Sequence, residues 1–412
     1  MPIFGLLSER GGGHVVTAVL IAMVAMLFTA ISYGRMARIY PTAGSAFVYV
    51  ARELHPSLGY ITGWSMLMDY ILNPLCGIIW CAEQSNAFVP GIPIYCWKIF
   101  YAALMVLLNI QAIRFSAKLN ASLTVIMSSV VVIVLVAAMF YIFGHPHNGT
   151  GFFWRPFYDA RTFSYSGLFG CTSVAVLTYI GFDGISTLAE EAENPRRNIL
   201  LATVLTCFLI GILSAVEVYA AQLVWPASER FPNVDTAYVS VATRIWKPLF
   251  TVVGFTLMLG IFSAGTAANL GAARLLYGMG RSGALPKRFF ATIDAKHGIP
   301  RNNVFLVGIV ALLGAFLLTF SLGAEMLNFG ALLAFMGVNA AAFVRYVFRQ
   351  SPKRFWSGLA PVAGFLICLL LWWNLSRSAK VLGFAWLVVG LGYSVWKTRG
   401  FRIQLAFEES DA

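Results

Sequence analysis

Eleven stretches of this chain are apolar over a length close to that of a bilayer, and this constrains the fold more than any single motif. A spanning helix needs about 20 mostly apolar residues. The segments 14–36, 58–88, 95–114, 117–143, 166–190, 196–223, 244–274, 303–321, 326–348, 355–374 and 379–396 meet or approach that length. In hydrocarbon every backbone N–H and C=O must be paired within the chain, so these segments are expected to be helices. Only 11% of the 412 residues are charged, against about 25% in soluble domains. The expected fold class is therefore all-α, a polytopic membrane helix bundle of about 11 transmembrane helices. Residues 1–400 read as a single membrane domain, and 401–412, ending in "FEESDA", as an acidic cytoplasmic tail.

The net charge of +12 invites a nucleic-acid reading, but its distribution argues against one. If residue 1 lies outside and the spans alternate, 20 of the 29 Lys and Arg residues fall on the inner side. Such a bias orients membrane proteins. It places the C-terminus in the cytoplasm and the protein, multi-pass, in the inner (plasma) membrane. Trp97, Trp154, Trp225 and Trp246 stand near span ends, as in interfacial aromatic belts. The opening "MPIFGLLSERGGGH" has neither a basic start nor a small-residue cleavage site. The six cysteines, Cys76, Cys81, Cys96, Cys171, Cys207 and Cys368, show no metal-knuckle spacing and are expected to be small core residues. The sequon at Asn148 carries no weight alone. In "YPTAGSAFVYVARELHP", Phe47, Val50 and Leu54 recur at helical spacing and predict a short interfacial helix after a turn.

Ionisable groups inside spans are costly and default to functional candidates. Four carboxylates qualify: Asp69, Glu83, Asp183 and Glu217. No histidine lies deep in a span and no lysine or arginine at mid-depth, which argues against a proton relay built on them. Asp183 stands out, because Gly181 and Gly184 flank it in "TYIGFDGIS". Glycine tolerates non-helical angles, so the span is expected to unwind into half-helices 166–179 and 184–191. The first would present free carbonyls and the second free amides, a pair of ends suited to the two charges of an amino acid. The competing reading is a plain kink with Asp183 bonded to a neighbouring hydroxyl. Asp69, near Pro74, either pairs across the bundle or lies near the inner interface. Glu83 reads as solvated or gating, and Glu217 as structural or functional. "IFSAGTAANLGAARLLYGMGR" is rich in small residues that favour close helix packing. Its Ser263, Thr266 and Asn269 would otherwise form a polar cavity wall.

Together these stretches resemble the amino acid–polyamine–organocation (APC) permease superfamily. "GFDGISTLAEEAENPRRN" is similar to that family's interrupted sixth span and inner loop. "RLLYGMGRSGALPKRF" with "KHGIP" resembles its eighth span and following loop, "SYGRMARIYPTAGSAFVYV" its second, and "GWSMLMDYILNP" its third. The resemblance covers residues 5 to 400. It implies the LeuT-type fold of two inverted five-span repeats plus two spans, with the site at breaks in spans one and six. Carried over by position, Tyr179, Ile180, Gly181, Phe182, Asp183 and Gly184 would form the sixth-span break. Main-chain groups around Ile180 to Phe182 would meet the substrate's amino group, and Tyr179 or Phe182 would act as gate. Arg274 would be structural or part of the cytoplasmic gate.

Two departures follow. The opening residues correspond only to the outer end of the family's first span, so its glycine break is missing. The expectation is that Met1 is an internal start of a longer protein; the other reading is a degenerate copy. A lysine of some sodium-independent members has no counterpart, since Met127 lies near that position and no Lys occurs from 119 to 246.

The implied function is a secondary transporter of amino acids or related amines working by alternating access. It needs no cofactor. Its partners are a small-molecule substrate, membrane lipid and a candidate coupling proton. The alternatives are a polyamine or cationic-amine carrier, with Asp69, Asp183 and Glu217 supplying the acidic groups, and a non-transporting remnant or receptor. Enzyme chemistry finds no nucleophile–base pair, metal cluster or phosphate loop; "GMGRSG" lacks the Lys-Ser/Thr ending.

Overall fold

The structure is a computed structural model that describes residues 1–41, 45–111, 117–145, 151–188, 192, 194–226, 228–281, 285–294, 296–349 and 355–397. The sequon at 148–150, Arg114 and the tail 401–412 lie outside the described residues. The described chain is helical apart from turns, loops and one isolated β-bridge between Asp294 and Ile299. The helices are α1 (Phe4–Gly11), α2 (Val15–Ile39), α3 (Ser45–Glu53), α4 (Pro56–Phe88), α5 (Ile94–Ile110), α6 (Ala117–Gly144), α7 (Tyr165–Ala175) and α8 (Pro195–Val224). They continue with α9 (Ala237–Ile245), α10 (Leu249–Arg281), α11 (Lys287–Phe290), α12 (Arg301–Leu317), α13 (Phe320–Phe343), α14 (Leu359–Trp373) and α15 (Arg377–Lys397).

Among the described residues nine spans are long and apolar enough to cross a membrane, and α5 and α12 are shorter apolar helices. These eleven match the eleven predicted segments. The short helix predicted between the first two spans is α3. Pro74 lies inside α4, which continues through it to Phe88.

The chain groups into two compact units. The first holds Met1–Val16, Tyr70–Ser164 and Val216–Ala324. Within it, α5, α10 and α12 pack on one another around Ile110, Ala273, Ile299 and Val304. Asn109 of α5 donates to the Thr266 carbonyl and to Asn269 Oδ1 of α10, each at 3.0 Å. His14 is buried between two bonds: its Nδ1 lies 3.0 Å from the Gly11 carbonyl, and its Nε2 accepts the Asp159 amide at 2.9 Å.

The second unit holds Thr17–Asp69, Tyr165–Ala215 and the chain from Glu325. Trp64 of α4 and Trp386 of α15 stack at 4.8 Å and exchange indole N–H bonds to each other's carbonyls at 2.8 and 2.9 Å. A buried aromatic group of Tyr33 (α2), Phe182 and Phe335 (α13) packs with centroids 5.2–5.8 Å apart. Such pairs contribute about 0.5–1.5 kcal/mol each beyond burial. On α13, the helix passes into a π-turn over Val344–Arg349. Arg349 there reaches the fully buried Glu53 carboxylate at 2.9 Å, and Tyr40 donates to the same group at 2.8 Å.

Candidate functional site

The predicted interruption is present, and it is tighter and starts earlier than the sequence suggested. The α-helix ends at Ala175, not at 179. A 3₁₀ turn follows over Val176–Thr178, then a bend, then a second 3₁₀ segment over Asp183–Leu188. The second half is thus 3₁₀ rather than α as far as it is described; 189–191 lie outside the described residues. Such tightening is common where an α-helix frays. Gly181 has φ +116° and is exposed, with open space where a Cβ would stand. That backbone angle is essentially reserved for glycine.

Asp183 closes the bend on itself. Its Oδ1 accepts the Gly181 amide at 3.0 Å, while the Gly184 amide donates to the Gly181 carbonyl at 3.1 Å. The Gly181 amide is thereby occupied by the chain's own carboxylate. Ser186 donates to the Asp183 carbonyl at 2.6 Å and shares a 2.7 Å hydroxyl bond with Ser45 of α3. Tyr179 is buried and its hydroxyl donates to the Val19 carbonyl of α2 at 2.8 Å. Phe182 is buried in the aromatic group. Neither aromatic swings free in this conformation. The main-chain N–H and C=O of Ile180 carry no bond to the described residues.

Asp69 of α4 is buried in the same unit as Asp183. The structure therefore brings Asp69 and residues 179–184 into one unit. It places Glu217, Ser263, Thr266 and Asn269 in the other. Glu217 is buried and lines a cavity of about 10 Å³ with Tyr238. Ser263 is exposed; Thr266 bonds back to the Phe262 carbonyl at 2.7 Å; Asn269 is fully buried beside Asn109. Glu83, partly buried, accepts from Asn233 at 3.2 Å. Met127 packs towards Gly260 of α10.

Three corrections and omissions stand out. Cys96 is exposed on the first turn of α5, unlike the other five cysteines, because that turn lies at the end of a span where packing is thin. Glu53 and Glu325 are buried carboxylates outside the predicted spans: Glu53 meets arginines and Glu325 accepts the Ser376 amide at 2.9 Å. Asn328 of α13 is fully buried and donates to the Ser173 and Val174 carbonyls at 2.9 and 3.4 Å. A buried amide inside an apolar run at 326–348 was its available signal.

An all-helical set of spans among the described residues, one of them unwound around a glycine and its own carboxylate, defines the class: a multi-pass membrane protein. The profile of the amino acid permease family matches residues 3–380, and the chain belongs to that family. It is a transporter and not an enzyme. It is 33% identical over 405 residues to the low-affinity putrescine importer PlaP of Escherichia coli (strain K12), covering 97% of this chain and 89% of that protein. It is 27% identical over 411 residues to the branched-chain amino acid permease BcaP of Lactococcus lactis subsp. cremoris (strain MG1363), at 93% and 87% coverage. Cationic amino acid transporter 6, chloroplastic, of Arabidopsis thaliana is 27% identical over 398 residues, at 90% and 66% coverage.

Proposed function

We propose that this permease carries amino acids or related amines by alternating access, with the substrate's ammonium group held at the Tyr179–Gly184 segment. The observation that carries the reading is the open bend itself. Gly181 is exposed at φ +116°, and the Ile180 carbonyl beside it is unbonded among the described residues. Free carbonyl groups at a span break suit a cation. The Gly181 amide of the same break is taken by Asp183, so a substrate carboxylate finds no place on it. In this reading the span domain, residues 1–400, sits in the inner membrane with its C-terminus in the cytoplasm.

A cationic-amine substrate is the form best supported. Asp69 and Asp183 put two buried carboxylates in one unit, and buried like charges call for a cation or a proton. The name of the Escherichia coli relative points the same way. Competition of putrescine, leucine and glutamate for one uptake signal in proteoliposomes decides the class. Putrescine winning supports the amine; leucine or glutamate winning discards it.

Asp183 has two separable roles in this reading, cap and charge. Asp183→Asn keeps an acceptor for the Gly181 amide and loses the charge. The expected result is lower uptake with an altered pH dependence at normal protein level. Unchanged uptake at every pH would leave Asp183 as a cap only.

A further inference from the structure

α7 leaves α-helical geometry at Val176, and a helix end leaves its last carbonyls short of amide partners. Two of these carbonyls are met from the side. Asn328 Nδ2, on α13, lies 2.9 Å from the Ser173 oxygen and 3.4 Å from that of Val174. The orientation of this amide is fixed by chemistry: turned over, its oxygen would face two carbonyl oxygens. Ser173 is held a second time, its hydroxyl donating to the Leu371 carbonyl of α14 at 2.6 Å. The final α-turn of α7 is thus clamped by α13 and α14, all within one unit. Beyond the clamp the chain is 3₁₀ and then bent.

We propose that Asn328 is a positioning residue that sets where the span unwinds, and hence the register of the Ile180–Phe182 main chain against Asp69 and Asp183. This rests on the reading of residues 179–184 as the substrate segment. The same helix supplies a built-in comparison. Asn339 is also fully buried and also donates through Nδ2, but to the Thr29 hydroxyl of α2 at 3.0 Å. Asn328 grips backbone at the end of a helix; Asn339 grips a side chain on a continuous one.

The test is uptake of radiolabelled putrescine, leucine and lysine by the full chain in proteoliposomes, for N328L, N328Q, N339L and G181A. N328L is expected to raise KM by about tenfold or more at normal protein level, with N328Q, which keeps the donor, recovering most of the loss. N339L is expected to lower thermal stability and leave KM unchanged. If N328L leaves KM unchanged while G181A raises it, the role of Asn328 is overturned and the substrate segment stands. If G181A also leaves KM unchanged, the segment reading itself fails. Should N328L not reach the membrane, N328S replaces it, its hydroxyl too short to span both carbonyls. Amide exchange over residues 176–182 is then expected to quicken by about tenfold; exchange equal to wild type overturns the proposal.

Discussion

α7 and α10 carry similar raw material and do opposite things with it. Both are apolar runs interrupted by glycines and small polar residues. α7 breaks after Ala175, whereas α10 runs unbroken through 33 residues. The glycines differ in their surroundings. At Gly181 a Cβ would meet nothing within 4 Å, and φ is +116°. At Gly265 a Cβ would stand 3.0 Å from Met105 and 3.5 Å from Pro74, with ordinary helical backbone. One glycine is there for its angle, the other for close helix approach. The polar partners differ in kind too. Asp183 turns back onto the amide two residues before it, while Asn269 reaches across to Asn109. A carboxylate placed to cap its own chain favours a break; an amide that bonds a neighbouring helix favours continuity.

The sharpest way to break this comparison is to exchange the demands on the two glycines. Gly181→Ala puts a side chain on an angle that strains it by about 1–3 kcal/mol. Uptake is expected to fall by about tenfold or more, with protein level maintained because the site is open. A G181A transporter with wild-type kinetics would remove the angle from the argument.

Asn109→Leu probes the other helix. It removes two interhelical bonds and leaves Asn269 buried and unpaired, a cost of about 1–2 kcal/mol. The thermal midpoint in detergent should fall while KM stays fixed. A rise in KM without a loss of stability would mean that the polar residues of α10 serve substrate after all, the cavity-wall alternative. Gly265→Ala should do less. Its nearest neighbour is the flexible end of Met105, so a small drop in midpoint and unchanged uptake are expected; a collapse of expression would show that the packing there cannot yield.

How much of this was legible beforehand follows from the physics of each feature. The spans were readable because hydrocarbon leaves the chain no alternative to helices, and their count agreed. The break was readable from Gly181, Asp183 and Gly184 together. Its position was not, because the α-helix stops at Ala175 through contacts from α13 and α14 that lie more than 150 residues away in sequence. Glu53 escaped notice because it sits in a loop helix, and only the π-turn of α13 brings Arg349 to it. His14 stands at the very end of a predicted span, and the amide that bonds its Nε2 belongs to Asp159, 145 residues later. Local chemistry announces itself in local sequence, whereas partnership across the bundle does not.

A carboxylate outside the membrane gives the mildest test and sharpens the contrast with Asp183. Asp235, between α8 and α9, has its backbone carbonyl bonded by the Trp80 indole at 2.6 Å. Burial, and then the nearby carboxylates of Glu83 and Glu9, push its carboxyl up to about 6. A raised carboxyl binds its proton more tightly in the folded than in the unfolded chain. Its contribution to stability is therefore complete below the ordinary carboxylate range and is lost as pH rises through about 6. Asp235→Asn keeps the shape and removes the titration. The thermal midpoints of wild type and D235N should coincide below about pH 3. They should then separate, with the variant more stable, and run parallel above about pH 7. Uptake should not change at any pH. Parallel midpoints over the whole range would mean that water reaches Asp235 freely. A fall in uptake at neutral pH would instead make this loop carboxylate part of the path by which a cation enters.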